Sequence, residues 1–490
     1  MSLGLPAIAA LLLVPVTVRS LGPARFGLLA LAWAVAEGSG MFDFGLGRAT
    51  VRFVADATDK GRDRLKEIIF ASLFSQVGAG LLAGILLFLL TPLLVHRVFA
   101  ISPSAIPEAT AMFRVLAFHI PVLLAAAALR SALEGAQRFD ISAAIRIPGS
   151  VAAVAIPAAA SYGGASLATI MWLLLAARVA LVALSATAVS RTLLPGRWGF
   201  PRGWDTLREM LGYSGWVAVS SALGPLLGSF DRFVVGAIVG VTGLGYYTGA
   251  TEAANRFLLV PVTAFSALLP ALAVTDARGA RERALMVTRA ARRQLATLLF
   301  PMCLALFAFT PAILGVWLGQ AFAVNAGTAL RILSFGVFFG GLAHLPLALL
   351  YGSNRPDLPA KINMVEVIVY LPLTFLLVKR WGVPGAAFAW TLRCATDLLL
   401  YEIVSRRVLG RCIADLDERV RTAHLSWAGL ALACAFICAL WLSRLSWPAA
   451  LVTAAMGLAL YTALGWTLVL SSPERRAWTT TVRRTRADPR

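Results

Sequence analysis

Twelve ionisable side chains lie inside stretches otherwise apolar enough to cross a bilayer. The cations are Arg114, Arg178, Arg232, Arg256, Arg331 and Arg393; the anions are Glu37, Asp43, Asp231, Glu252, Glu366 and Asp397. Such groups are costly in hydrocarbon and mark either a pathway or a pairing. A guanidinium presents a planar fork of donors that suits phosphate. A carboxylate withdrawn from water favours its protonated form and can carry a proton. Spacing sorts the twelve. Glu252 and Arg256 are four apart, as are Arg393 and Asp397, so each pair shares a helix face and can neutralise itself. Asp231 and Arg232 are adjacent, diverge by about 100° on a helix, and need partners elsewhere. Arg178 has no carboxylate within a turn and should face a cavity or a distant carboxylate. Arg114 and Arg331 lie near helix ends, where snorkelling is cheap. Glu37, Asp43 and Glu366 lack a basic partner within one turn, and each reads as a coupling group or a helix-packing hydrogen bond.

The elements that must position these groups are set by composition. Of 490 residues, 59% are hydrophobic and 14% charged, with mean hydropathy +0.79. A soluble domain carries about a quarter charged residues, so the chain is a polytopic membrane protein. Its apolar runs are roughly the 17–25 residues a spanning helix requires, and no alternating barrel pattern interrupts them. They predict an all-α fold of fourteen helices, near 3–18, 27–47, 69–95, 110–131, 145–162, 166–189, 209–230, 246–272, 295–315, 327–350, 362–378, 386–405, 425–443 and 449–470. The seventh is expected to run to Ile238, because Gly240, Gly243 and Gly245 break the helix beyond that residue. The first reads as a span and not a signal peptide, since no charged leader or small-residue cleavage site flanks it. Prolines within the helices, among them Pro121, Pro225, Pro301 and Pro311, predict kinks. Five cysteines and four histidines form no metal or disulfide spacing, and no cofactor is expected.

Loop charges set topology. Of 44 Lys and Arg, 32 fall in alternate loops and the tail, against six in the opposite loops, which puts both termini in the cytoplasm. The net charge of +20 is thereby a topology signal with anionic headgroup contact, and not a nucleic-acid surface. An internal repeat then gives the architecture. Leu133–Ile145 is echoed by Leu350–Ile362, 217 positions on, with Gly135, Arg138 and Asp140 answered by Gly352, Arg355 and Asp357. Gly22 and Gly27 are echoed by Gly240 and Gly245, 218 positions on. Two parallel six-helix lobes are expected around a central cavity, related by an axis along the membrane normal. The expected divisions are an N-lobe 1–190, a cytoplasmic linker 191–208, a C-lobe 209–405, a loop with two further helices 406–470, and a basic tail 471–490. Both copies of the Gly-x-x-Arg-x-Asp turn should be cytoplasmic, making Arg138, Asp140, Arg355 and Asp357 turn locks or gate residues.

Several stretches carry a family resemblance. Leu21 to Gly27, Phe42-Asp43-Phe-Gly45-Leu-Gly47 and Val51-Arg52-Phe53 resemble the opening of polysaccharide-transport flippases. Phe230-Asp231-Arg232 with Gly236, Tyr246-Tyr247 and Ala254-Asn-Arg256 resembles the start of their second half, and Trp381 to Ala387 also fits. The chain is thus similar to the Wzx-like (O-antigen flippase) branch of the multidrug/oligosaccharidyl-lipid/polysaccharide exporter superfamily. That resemblance implies movement of a polyprenyl-pyrophosphate-linked oligosaccharide between leaflets of the inner, cytoplasmic membrane. On this reading Arg178, Arg232 and Arg256, with Arg48 and Arg52 at an inner mouth, contact the pyrophosphate. Glu37, Asp43, Asp231 and Glu366 are the coupling or gating candidates, with H+ or Na+ as ion. Membrane lipids and polysaccharide assembly proteins are the other partners. Tyr246, Tyr247, Trp172, Trp216 and Trp390 are aromatic faces for sugar or membrane interface. A lipid II flippase, a cation-coupled drug exporter, a polytopic glycosyltransferase or polymerase, and a non-transporting scaffold remain open on the sequence.

Overall fold

The computed structural model describes residues 4–57, 61–194, 204–277, 281–353, 355 and 357–409. The helices expected near 425–443 and 449–470, and the tail 471–490, lie outside the described residues. Every regular element among the described residues is helical.

The first two expected helices form one run, α1 (Gly4–Gly38), broken only at Gly22, whose φ of 72° a residue with a Cβ rarely adopts. Pro23 comes next as the first residue of the second limb, where its missing N–H costs nothing. The second helix was expected to reach residue 47; it stops at Gly38 instead. A 3-10 turn, Ser39–Asp43, succeeds it, and Phe44 and Gly45 turn the chain with φ of 47° and 74°. The next helix, α2 (Leu46–Ala57), falls in a stretch expected to be loop. It is short and charged, which hid it from a search for spans. Leu46, Ala49, Thr50, Val54 and Ala57 are buried on one side while Arg48, Arg52, Ala55 and Asp56 are exposed on the other. That pattern is a surface amphipathic helix.

Four long helices complete the first half: α3 (Arg62–Leu93), α4 (Ile106–Gly135), α5 (Phe139–Tyr162) and α6 (Leu167–Thr192). The second half holds α7 (Trp204–Ile238), α8 (Val241–Ala277), α9 (Arg281–Ala308), α10 (Thr310–Trp317), α11 (Gln320–Gly352), α12 (Asp357–Trp381) and α13 (Val383–Leu409). The end of α7 at Ile238 is where the glycines put it, with Gly240 at φ 90°. The expected span 295–315 is bent by 72° between α9 and α10. Pro311 is the second residue of α10; without an N–H it cannot carry α9 onward. Among the described residues, seven helical runs are long and apolar enough to cross a membrane, and the α9–α10 pair makes an eighth.

The chain divides into two compact units. The first comprises Met1–Gly249, Trp317–Ala326 and Asn363–Ala389. In it α3 lies flat on α4 through Gly80 and Gly84, one turn apart. A Cβ on Gly80 would come within 2.6 Å of Pro121 Cα, and one on Gly84 within 2.6 Å of the Ala117 carbonyl oxygen. Small residues at this spacing let helix backbones meet in a membrane, where packing and not water release drives association. At another level Leu46, Leu65, Ile68, Leu129, Leu133, Val189 and Met210 join α2, α3, α4, α6 and α7. The second unit comprises Ala250–Val316, Gly327–Ile362 and the chain from Trp390. There Leu295 and Leu299 of α9 pack on Leu345 of α11, and Gly336 of α11 lies under the Trp390 ring of α13.

The two echoes in the sequence have structural counterparts. Arg138 donates to both oxygens of Asp140 (3.2 and 3.2 Å), and Arg355 does the same to Asp357 (3.0 and 3.2 Å). In each copy the arginine's backbone N–H reaches the carbonyl five residues back, Arg138 to Leu133 and Arg355 to Leu350. This is the bond that closes a helix C-terminus. The second echo is tighter. An added Cβ on Gly27 would lie 1.8 Å from the Val241 carbonyl oxygen; one on Gly245 would lie 2.0 Å from that of Pro23. Residues 23 and 241 are themselves repeat equivalents, so the two copies of the motif pack against each other reciprocally, within the first unit.

Candidate functional site

The charged residues that adjacency had left without local partners find them on other helices. In α7, Arg232 directs Nη1 at Glu37 Oε2 of α1, 3.4 Å away. Ser229 donates its hydroxyl to the same Glu37 oxygen at 3.2 Å. Asp231 turns the other way and is buried: it accepts from the Tyr247 hydroxyl of α8, and from the Arg232 backbone N–H at 2.8 Å. Tyr247 is completely buried, so it is not free to stack on a sugar as an exposed aromatic would. Removing its hydroxyl strips a donor from a buried carboxylate, a change worth about 1–3 kcal/mol. Tyr247→Phe is therefore expected to lower the thermal unfolding midpoint of purified protein in detergent. Trp172→Phe, exposed on α6, serves as a control expected to leave it unchanged.

On α12 the cluster continues in one stripe. Glu366, Tyr370 and Thr374 recur every four residues, all buried, and Tyr370 packs with Leu227 and Phe230 of α7. Tyr370 also lies near Tyr247. The first unit thus gathers Glu37, Ser229, Asp231, Arg232, Tyr247 and Tyr370 from α1, α7, α8 and α12, with Glu366 buried one turn from Tyr370. Two of the anticipated coupling residues and one anticipated cation are in this group. Ser229 and Tyr370 were not anticipated, although the period of the α12 stripe was readable in the sequence. Among the described residues no group of three His, Cys, Asp or Glu is placed to hold a metal ion.

The remaining candidates lie elsewhere. Asp43 accepts the Gly47 N–H with both oxygens, at 3.0 and 3.1 Å, and so caps the start of α2. Arg48 stands within electrostatic reach of it, and Arg52 pairs with Asp56 at 4.0 Å on the exposed face of α2. Arg178 sits in α6 beside the fully buried His119 of α4, whose Nε2 bonds the Met171 carbonyl at 3.0 Å. No ion pair forms on Arg178 among the described residues, and its Nη1 has no hydrogen-bond partner there. Arg256 belongs to the second unit and pairs with Glu252 one turn away, as its spacing predicts; Arg393 and Asp397 pair at 3.8 Å. Arg114 and Arg331 rest over the rings of Phe88 and Phe307 at 5.7 and 5.9 Å.

The repeated turns connect α4 to α5 and α11 to α12 at the ends of the spanning helices, with their charged side chains exposed. The hydrogen bond from Arg138 holds the Asp140 carboxyl below its usual range. The bond from Arg355, helped by Lys361, brings Asp357 to about 2. A depressed carboxylate pKa contributes above the ordinary value of 3.8 and is lost only as pH falls toward 2. Between pH 5 and 8 these turns are constant. The double variant Asp140→Asn/Asp357→Asn is expected to leave the shape of any activity–pH profile in that interval unchanged, measured in vesicles.

The sequence profile of the polysaccharide biosynthesis protein family matches residues 16–326. A Shigella flexneri protein assigned as an O-antigen transporter is 28% identical over 402 residues, covering 80% of this chain and 92% of its own. The lipid II flippase MurJ, solved in an inward closed conformation, shares the fold with a TM-score of 0.71 at 11% identity, over 94% of this chain and 97% of that one. An inward-facing multidrug resistance transporter of the MATE family, in the MOP superfamily, gives 0.69 at 14%, over 84% and 95%. With more than half its length inside the matched profile and its helices arranged as in the MOP transporters, this chain belongs to the polysaccharide biosynthesis protein family.

Proposed function

We propose that the protein is a flippase. It moves a polyprenyl-pyrophosphate-linked oligosaccharide across the cytoplasmic membrane by alternating access, for surface polysaccharide assembly, and it makes or breaks no covalent bond in its cargo. The observation that carries this reading is the likeness to the O-antigen transporter over four-fifths of the chain. The arginine-bearing cluster on α7 fits it, because a pyrophosphate headgroup crossing hydrocarbon needs a fixed cation. In this reading both termini are cytoplasmic, and residues 1–190 and 209–405 are the two moving lobes. The linker 191–208 and the tail 471–490 are cytoplasmic, and 406–470 supplies a cytoplasmic loop followed by two further spanning helices. Arg232 is the principal phosphate contact, and Arg48, Arg52, Arg178 and Arg256 are the other candidate contacts. Glu37, Asp231 and Glu366 handle the coupling ion, H+ or Na+, while Asp43 and the repeated turns hold shape. Assembly proteins receive the cargo on the far side.

Reconstitution tests the reading. Purified protein in liposomes is expected to expose a labelled polyprenyl-pyrophosphate oligosaccharide to an outside reagent, well above protein-free vesicles. Movement of lipid II or an organic cation without movement of the oligosaccharide would replace the cargo assignment. Formation of a glycosidic bond by the purified protein would move it to an enzyme class.

A further inference from the structure

The Glu37–Arg232 pair has an unequal geometry. The Arg232 side chain is 13% exposed and the Glu37 side chain 55%, so the carboxylate stands on the open side of the guanidinium. Contact is through one oxygen at 3.4 Å, the outer limit of a hydrogen bond, and that oxygen is shared with the Ser229 hydroxyl. A guanidinium satisfied by a carboxylate normally takes both oxygens at shorter distance, as Arg138 and Arg355 do in the turns. Glu37 therefore occupies the anion position on Arg232 without holding it tightly. Among the described residues Arg232 is the charged group hydrogen-bonded to Glu37; the neighbouring Asp231 is directed away, toward Tyr247 of α8.

We propose that Glu37 is a built-in stand-in for phosphate, displaced from Arg232 by the incoming diphosphate and taking up a proton as it leaves. This inference rests on the reading of Arg232 as a phosphate contact. A diphosphate offers two oxygens at the spacing of the guanidinium fork, where Glu37 offers one. Once displaced, the carboxylate loses its cation while still at membrane depth, and the neutral acid is the form that avoids an uncompensated charge. The proton comes from solvent on the side to which the site is open and stays on a Glu37 oxygen. When the diphosphate departs, the proton returns to solvent and the ion pair re-forms. Loading and proton uptake are thereby linked at one residue, and by linkage a lower pH must strengthen binding by the same factor. Arg256 and Glu252 do not offer the same exchange, because both side chains are largely buried together on one helix.

Calorimetric titration of the full-length protein in detergent with farnesyl pyrophosphate, in two buffers of different ionisation enthalpy, counts the protons. Wild type is expected to take up about one proton more per ligand than Glu37→Gln near neutral pH. That difference cancels the probe's own titration. Glu37→Gln is expected to bind about five-fold more tightly, since a neutral amide competes less well for the guanidinium. The ratio of wild-type to Glu37→Gln affinity should rise as pH falls, the probe's own ionisation being common to both. Glu37→Asp keeps the charge and should keep the pH dependence. Equal affinity and equal proton counts for wild type and Glu37→Gln would overturn the exchange, as would a pH-independent ratio of Glu37→Asp to Glu37→Gln affinity. If Arg232→Ala binds the probe as well as wild type, the phosphate contact itself is wrong and the exchange falls with it.

Discussion

Alanine at Gly27 or at Gly245 is expected to abolish export and to lower the stability of the purified protein. The Gly27 Cβ would meet the Val241 carbonyl oxygen at 1.8 Å and the Gly245 nitrogen at 3.0 Å. The Gly245 Cβ would meet the Pro23 carbonyl oxygen at 2.0 Å and the Gly27 nitrogen at 3.3 Å. The obstacles are backbone atoms, which cannot swing aside as a side-chain tip can. Overpacking a well-fitted interior costs about 1–3 kcal/mol, and these distances place both sites at the upper end. Thermal unfolding in detergent and export per unit of membrane protein measure the two effects. Gly78→Ala, with open space where its Cβ would stand, serves as the control and should be neutral or slightly stabilising. Wild-type stability in both Gly27→Ala and Gly245→Ala would mean that the reciprocal contact is absent from the resting protein.

Arg232→Ala should reduce export by a hundred-fold or so, and Arg232→Lys by clearly less. The arginine side chain is nearly buried, its cation answers Glu37, and its backbone N–H serves Asp231. Alanine keeps the backbone bond and removes the cation, so the loss reads the guanidinium alone. A bidentate charged contact contributes about 1.5–3 kcal/mol, which corresponds to between ten- and a hundred-fold in a binding-limited rate. Lysine restores the charge as a point without the fork, which accounts for partial rescue. Export of surface glycan, normalised to protein level, decides between the variants. Equal export from all three would remove Arg232 from the pathway.

Local rules recovered a specific part of this molecule. The pairs Glu252–Arg256 and Arg393–Asp397 were legible because helix neighbours four apart must share a face. The end of α7 at Ile238 was legible because Gly240 can take a positive φ. The expected loop at 48–57 was wrong for an equally local reason. Helix α2 buries only one narrow side and has too few residues to register as a span, so hydropathy passed over it. The break expected between the first two helices shrank to Gly22, since a glycine with a proline after it can redirect a helix without ending it. Asp43, counted among the membrane charges by its position in an apolar run, turned out to serve the backbone of α2 through Gly47.

Membrane class, the helical repertoire and the duplication are properties of residue order, because a bilayer requires long apolar helices and a repeat leaves equal residues at equal offsets. The partners of the isolated charges are not. Glu37 and Arg232 are 195 residues apart, and Tyr247 reaches Asp231 across a helix break. No periodicity links such positions, and only the packing of α1, α7 and α8 against one another brings them within hydrogen-bond distance. The same holds for the glycines. Their echo was visible as spacing; that the two copies touch each other, backbone to backbone, is decided by how the helices cross.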